Sequence, residues 1–177
     1  RDRIRKMLVA SSMSIYGEGA YRNARDEVVH PSLRSDEDLE ARRYELMDAD
    51  GSPLTPIPTP EEKTLQPTSI YAVTKRDHEE MFLSVGAAYG IPAVALRYFN
   101  IYGTRQALSN PYTGVMAIFS ARLLNRNRPM IFEDGLQTRD FVHVSDVVRA
   151  NLLAMEAEAA DGRVYNVGTG RATSILR

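Results

Sequence analysis

The 177-residue chain contains no cysteine. Disulfides and thiolate metal sites are therefore excluded, and a reducing compartment, the cytoplasm, is the expected location. Charge of neither sign is in excess: Lys and Arg total 22, Asp and Glu 23, for a net charge of -1. Such a balance gives no support to a nucleic-acid partner or an anionic membrane surface. No apolar run approaches the ~18 residues of a membrane span, and no signal peptide is visible. What remains is ordinary globular composition, 44% hydrophobic and 25% charged, in a chain long enough for one real core. It opens on RDRIRK without an initiator methionine and stops at SILR inside an apparent element, so it reads as a piece of a longer protein.

Short apolar runs alternate with helical stretches. MLVAS, residues 7–11, reads as a buried strand closed by a serine cluster. Residues 18–67 are polar and charged and close on SPLTPIPTPEEKTLQP, whose spaced prolines favour an extended, polyproline-like path. That segment is expected to be a surface insertion with a short helix around Asp36 to Tyr44. Thr68 or Ser69 caps a helix reaching about Tyr89, stopped by Gly90 and Pro92. Ala93 to Tyr98 is a second strand, and Val115 to Asn125 a helix. Arg139 to Val144 contains a short strand, Ser145 caps a helix to about Ala160, and Val164 to Val167 is a last strand before GTG. Strands alternating with helices predict an α/β fold with a mostly parallel sheet.

In such sheets ligands lie beyond the carboxyl ends of the strands. Three polar clusters fall there: Ser11, Ser12 and Ser14; Asn100, Tyr102 and Gly103; and Tyr71 with Lys75 at the start of the intervening helix. Tyr71 and Lys75 stand four apart in SIYAVTK, hence on one helical face. An ammonium beside a phenol favours the phenolate, which makes a proton-transfer group. The plainer reading is an amphipathic helix with an exposed Lys and a half-buried Tyr. For the serines it is turn capping, and for Asn100 a loop hydrogen bond.

Five motifs, ASSMSIYG, SIYAVTK, LRYFNIYG, QTRDFVHVSDV and YNVGTG, resemble in order those of the extended short-chain dehydrogenase/reductase superfamily, more narrowly its NAD-dependent nucleotide-sugar epimerases and dehydratases. The resemblance implies a Rossmann-type doubly wound parallel sheet with a smaller substrate-binding domain. Residues 1–98 would form the second half of the NAD-binding domain, with the insertion at 18–67. Residues 99–142 would be a substrate-domain segment, 143–169 a return to the NAD-binding domain, and 170–177 the start of a substrate-domain tail. Tyr71 matches the catalytic tyrosine, Lys75 the lysine that tunes it and holds the nicotinamide ribose, and Ser12 the hydroxyl that bonds the reacting oxygen. Tyr98 matches a residue beside the nicotinamide, and Asn100 and Arg139 match contacts of the substrate diphosphate, a task suited to a forked guanidinium. Val115 lies in LSNPYTGVMAIF, which resembles the stretch that cradles base and sugar in a branch of 4-epimerases. The plain alternative for Arg139 and Asp140 is a surface ion pair, and His143 reads as a core histidine. The amino-terminal Gly-rich turn that would hold the cofactor pyrophosphate is not in this sequence, and GTG is no substitute for it.

Dehydratases of this family carry Asp-Glu after the position of Ser12, and its decarboxylases keep a Glu two before the tyrosine. Met13 and Ser14 stand there instead, and neither is a carboxylate acid or base. That leaves epimerisation or ketoreduction, and the resemblance to the 4-epimerase branch implies epimerisation at carbon 4 of a nucleotide-diphosphate sugar through a transient 4-keto sugar. A relative that binds nucleotide sugars without catalysis is a third alternative, against which Ser12, Tyr71 and Lys75 speak. The insertion, with GEGAYR at its start and PIPTPEE at its end, resembles that of dTDP-L-rhamnose 4-epimerases, which implies a dTDP-L-rhamnose-like substrate. UDP-glucose is the alternative. That branch often holds a cysteine metal knuckle here; this chain has Met47 and Asp50, so no metal is expected.

The helix from 69 to 89 sets Val73, His78, Met81, Phe82, Val85 and Tyr89 among charges. In the family such a helix often joins its copy in a dimeric four-helix bundle. The full-length protein is expected to sediment as a homodimer at micromolar concentration, and a monomer there would reject this.

Overall fold

A computed structural model describes residues 4–107 and 114–176. The first six residues of LSNPYTGVMAIF therefore lie outside the described residues. In chain order the strands are β1 (Met7–Ser12), β2 (Ala20–Arg22), β3 (Val28–Val29), β4 (Thr55–Ile57), β5 (Ala93–Tyr98), β6 (Asn100–Tyr102), β7 (Thr138–Arg139), β8 (Phe141–His143), β9 (Val164–Val167) and β10 (Thr173–Ser174). The α-helices are α1 (Asp36–Glu40), α2 (Ile70–Tyr89), α3 (Val115–Leu124) and α4 (Val144–Glu156).

β1, β5 and β9 form a parallel sheet in that order, with Ser12 opposite Tyr98 and Tyr98 opposite Val167. β5 is the central strand, and its residues from Ala93 to Arg97 are all buried, as expected of an apolar run covered on both faces. Val94, Leu96, Val142, Val147, Ala154 and Val167 make the core. The architecture is α/β with a Rossmann-type parallel sheet.

α2 begins where its capping residue predicts. The Ser69 side chain accepts the Ala72 N–H, and the helix ends on Gly90 in the left-handed conformation at φ 65°. Elsewhere caps differ from expectation. His143, not Ser145, caps α4: its imidazole accepts the Ser145 N–H. α4 stops at Glu156, and a separate 3-10 turn spans Glu158–Ala160. α1 is only five residues long, because Ala41 leaves helical geometry and Arg42 takes φ 56°.

The insertion is not an extended polyproline path. β3, β2 and β4 form a small antiparallel sheet, Tyr21 pairing with Val29 on one side and Pro56 on the other. Pro56 is tolerated because β4 is an edge strand. Within the insertion Asp50 accepts the backbone N–H and hydroxyl of Ser52, and Asp48 accepts the Asn23 amide. No group of three metal-ligating side chains occurs among the described residues, and no described helix is long and apolar enough to cross a membrane.

α2 crosses the sheet at Gly86. A Cβ there would lie 2.7 Å from both the Ala93 Cβ and the Ile91 carbonyl oxygen. Gly86→Ala would force the helix off β5 at about 1–3 kcal/mol, against up to ~1 kcal/mol of regained helix propensity. The expected outcome is a lower melting temperature, and an unchanged or raised one would contradict this close approach.

Candidate functional site

The carboxyl ends of β1 and β5 carry the polar groups. After Ser12 the chain makes a 3-10 turn, Met13–Tyr16, which the Ser12 hydroxyl caps by accepting the Ser14 N–H at 3.2 Å. The two hydroxyls lie 3.2 Å apart. Both face a cavity of about 250 Å³ that Tyr98, Asn100 and Val115 also line. Thus Ser12, Tyr98, Asn100 and Val115, all given site roles by the family resemblance, share one hollow with Ser14. Asn100 Oδ1 is buried there without a hydrogen-bond partner among the described residues, a costly state that a ligand donor would relieve. Tyr98 turns its hydroxyl inward, donating to Asn151 of α4 at 2.8 Å, and burial raises its pKa.

Tyr71 and Lys75 stand on the first turns of α2, which packs on β1 and on the 3-10 turn. The Lys75 ammonium donates to the Ala10 carbonyl at 2.8 Å. Strand β1 thereby ties down the lysine two residues before Ser12. The same ammonium sits 5.9 Å from the Tyr71 ring centroid, at the limit of cation–π range. Tyr71 is 56% exposed. Neither residue lines the 250 Å³ cavity, nor does Arg139. The Arg139 guanidinium is exposed and donates to the Thr138 carbonyl.

A larger cavity of about 600 Å³ adjoins the first, with Val115, Met116 and Phe141 common to both. Tyr102 and Phe119 give it aromatic walls, and Arg171, Thr173 and Ser174 give it polar ones. No sequence signal singled out Arg171, which follows GTG in an otherwise small-residue stretch.

GTG itself is a structural turn. Asp140 accepts the N–H groups of Thr169 and Gly170 and the Thr169 hydroxyl, at 2.7–2.9 Å. Backbone donors that could cradle a phosphate are thereby occupied. A Cβ on Gly168 would come 2.7 Å from the carboxylate, so only glycine allows this approach. Asp140 is not in an ion pair with Arg139. His143 is half-buried rather than core: it caps α4 and meets the Tyr102 ring edge-on at 5.3 Å.

Sequence reasoning missed a buried ion pair. Arg97, 4% exposed, lies on β5 and forks onto Glu79 of α2, itself 3% exposed. Arg97 Nη1 donates to the Tyr16 hydroxyl at 2.7 Å and to the Glu61 carbonyl at 2.8 Å. Tyr16 in turn donates to Asn166 Oδ1 of β9 at 2.8 Å. Burial raises the Tyr16 pKa against the opposing pull of Arg97, so the phenol stays protonated and can donate. For Arg97, burial alone would lower the pKa, but its bonds to Glu79 and Tyr16 outweigh that and raise it. An arginine inside AVALRY was the available signal, since an isolated charge in a central strand must find a partner.

A parallel sheet with a polar carboxyl edge, a serine turn and a Tyr–Lys helix defines the class. The NAD dependent epimerase/dehydratase family matches residues 49–168, and the chain belongs to it. It is 35% identical over 174 residues, 98% of its length, to the dTDP-L-rhamnose 4-epimerase of Burkholderia thailandensis, covering 47% of that protein. Two solved structures resemble it at TM-score 0.73, each over 98% of this chain. One is the UDP-glucose 4-epimerase of Thermotoga maritima with UDP-glucose, 33% identical and 45% covered. The other is the UDP-N-acetylglucosamine 4-epimerase of Methanobrevibacter ruminantium with UDP-N-acetylmuramic acid, 31% identical and 44% covered. The chain spans about half the length of these relatives.

Asp140→Ala removes the acceptor of the 169–170 turn. Hydrogen bonds to a charged group contribute about 1.5–3 kcal/mol, so stability should fall by that order. The Thr169 and Gly170 amides should exchange with solvent faster. Unchanged protection of both would contradict the assigned role.

Proposed function

We propose that this chain is part of an NAD-dependent nucleotide-sugar 4-epimerase acting on a dTDP-L-rhamnose-like substrate. The observation that carries the proposal is the convergence at one sheet edge. Ser12, Tyr98, Asn100 and Val115 line one cavity, while α2, packed on β1, sets Lys75 on the Ala10 carbonyl of the strand that ends in Ser12, with Tyr71 one turn before it. Residues 1–98 and 143–169 then belong to the NAD-binding domain, and 99–142 and 170–177 to the substrate domain.

The donor set fits NAD and a sugar. An ammonium has three donors, and Lys75 spends one on Ala10, leaving others for a ribose. The Tyr71 hydroxyl makes no hydrogen bond among the described residues, and Asn100 Oδ1 awaits a donor. NAD, when bound, supplies a reversible two-electron acceptor for the sugar carbon. The chain supplies the proton path and the grip. Tyr71 takes the proton of the sugar hydroxyl at carbon 4 and returns it, Lys75 holds the nicotinamide ribose from the same helical face, and Ser12 bonds the same oxygen. Asn100 and Arg139 hold the diphosphate, Val115 borders the sugar and base, and Tyr98 forms the wall beside the nicotinamide.

Two readings compete with this one. The Thermotoga relative, a UDP-glucose 4-epimerase, favours UDP-glucose as the alternative substrate. A ketoreductase would keep the same three catalytic groups but would consume added NAD(P)H at every turnover, whereas the epimerase retains its NAD. The exposed α2 face, including Met81 at 53% and Tyr89 at 61%, supports a homodimer.

Tyr71→Phe in the full-length protein keeps the ring and removes the proton carrier. Turnover should fall by ~10²–10⁴, the usual range for losing a general acid–base, while nucleotide-sugar affinity stays near wild type. Comparing dTDP-L-rhamnose with UDP-glucose in the wild-type protein settles the substrate. A Tyr71→Phe enzyme turning over at near the wild-type rate would sink the proposal.

A further inference from the structure

We propose that Arg97 is a positioning residue, which sets the serine turn against the Tyr–Lys helix. The inference rests on the roles given above to Ser12, Tyr71 and Lys75. On α2, Tyr71, Lys75 and Glu79 are spaced i, i+4, i+8 and so form one stripe. Glu79 is the member of that stripe that Arg97 grips, through Nε at 3.1 Å and through Nη2. Nη1 of the same guanidinium holds the Tyr16 hydroxyl, and the Arg97 carbon lies 4.9 Å from the Tyr16 ring centroid. Tyr16 is the last residue of the 3-10 turn that Ser12 caps. One planar fork therefore joins the strand, the helix that carries the proton carrier, and the turn that Ser12 caps.

The same guanidinium reaches the end of the insertion through the Glu61 carbonyl. Glu61 Oε1 accepts the Asn166 N–H at 2.8 Å, and the Asn166 amide donates to the Thr59 carbonyl at 2.8 Å. Lys63, 3% exposed, donates to the Tyr16 carbonyl at 3.0 Å. Residues 59–63 thus close over the turn from outside, while Arg97 holds it from inside. Arginine suits the task because its donors are fixed in one plane, whereas a lysine could hold only one partner well.

A merely structural pair and a positioning pair give different kinetics. Removing Arg97 alone would leave the Glu79 charge buried, and the protein would risk unfolding. Replacing both partners by apolar residues of similar volume is often neutral for stability, so the test uses the double variant Glu79→Met/Arg97→Met of the full-length enzyme. Tyr16→Phe is the second variant; it keeps the ion pair and removes only the bridging hydroxyl. In each, kcat should fall about tenfold to a hundredfold, the order expected of a displacement near 1 Å at reacting groups. KM should stay within about twofold, since the binding groups are elsewhere.

The decisive readout is a cycle with Ser12→Ala. If Arg97 acts through the serine turn, each variant should cost little once Ser12 is gone, a strong non-additivity. Losses that multiply in the Ser12→Ala background, or a kcat unchanged in both variants, would overturn the proposal. If Ser12→Ala by itself leaves kcat intact, the role of Ser12 fails and this inference fails with it. Should the double variant not fold, the Tyr16→Phe cycle decides the question on the same terms.

Discussion

The buried fork between Arg97 and Glu79 is the constraint on which the other parts depend. Both side chains are almost wholly removed from water, at 5% and 4% exposure. Desolvating two charges costs several kcal/mol per ion, and only good geometry with further hydrogen bonds offsets it. Here the geometry is bidentate, and the two Nη1 donors go to Tyr16 and Glu61. Such a pair need not add stability. It does exclude alternative registers, because a shift of α2 along β5 would strand both charges.

From that fork the rest follows outward. β5 lies between β1 and β9, so a residue on β5 can reach elements above either neighbour. Arg97 meets the turn after β1 through Tyr16, and Tyr16 meets β9 through Asn166. The insertion packs onto the same point through residues 59–66, with the Gln66 N–H donating to the Ile15 carbonyl. Gly17, at φ 70°, passes so close to the Gln66 carbonyl that a Cβ there would lie 2.5 Å away. The insertion is therefore a surface element over most of its length and a clamp at its carboxyl end.

How much of this was legible in the sequence depends on how local the cause is. The α2 caps lie within a few residues of the helix ends, and the sequence places them correctly. Apolar runs bounded by Gly and Pro place β5 and β9 to the residue, whereas β1 runs one residue past the expected 7–11, to Ser12. The insertion was misread because its three strands pair across sequence gaps, and spaced prolines suit an edge strand as well as a polyproline path. Ser145 has the residue type of a cap, yet His143 captures the N–H because its imidazole Nδ1 already faces the first turn. Asp140 resembled half of a surface ion pair, and its true partners lie 29 and 30 residues away. Arg97 was invisible as a hub for the same reason. Its contacts span 18 to 81 residues, and no local periodicity encodes them. Of the candidate site, the motifs located the sheet edge, while the cavity, the orphaned Asn100 oxygen and the lining by Arg171 are products of the fold alone.

In the proposed epimerase the Tyr71 phenol moves a single proton on and off the sugar oxygen, Ser12 bonds that oxygen, and carbon 4 inverts while keeping its own hydrogen. The most direct measurement is turnover of the full-length protein in deuterium oxide, with dTDP-L-rhamnose and UDP-glucose in parallel, followed by NMR of the product. The expected result is inversion at carbon 4 with no deuterium on that carbon. Deuterium at carbon 4, or conversion only when NAD(P)H is consumed, would contradict it.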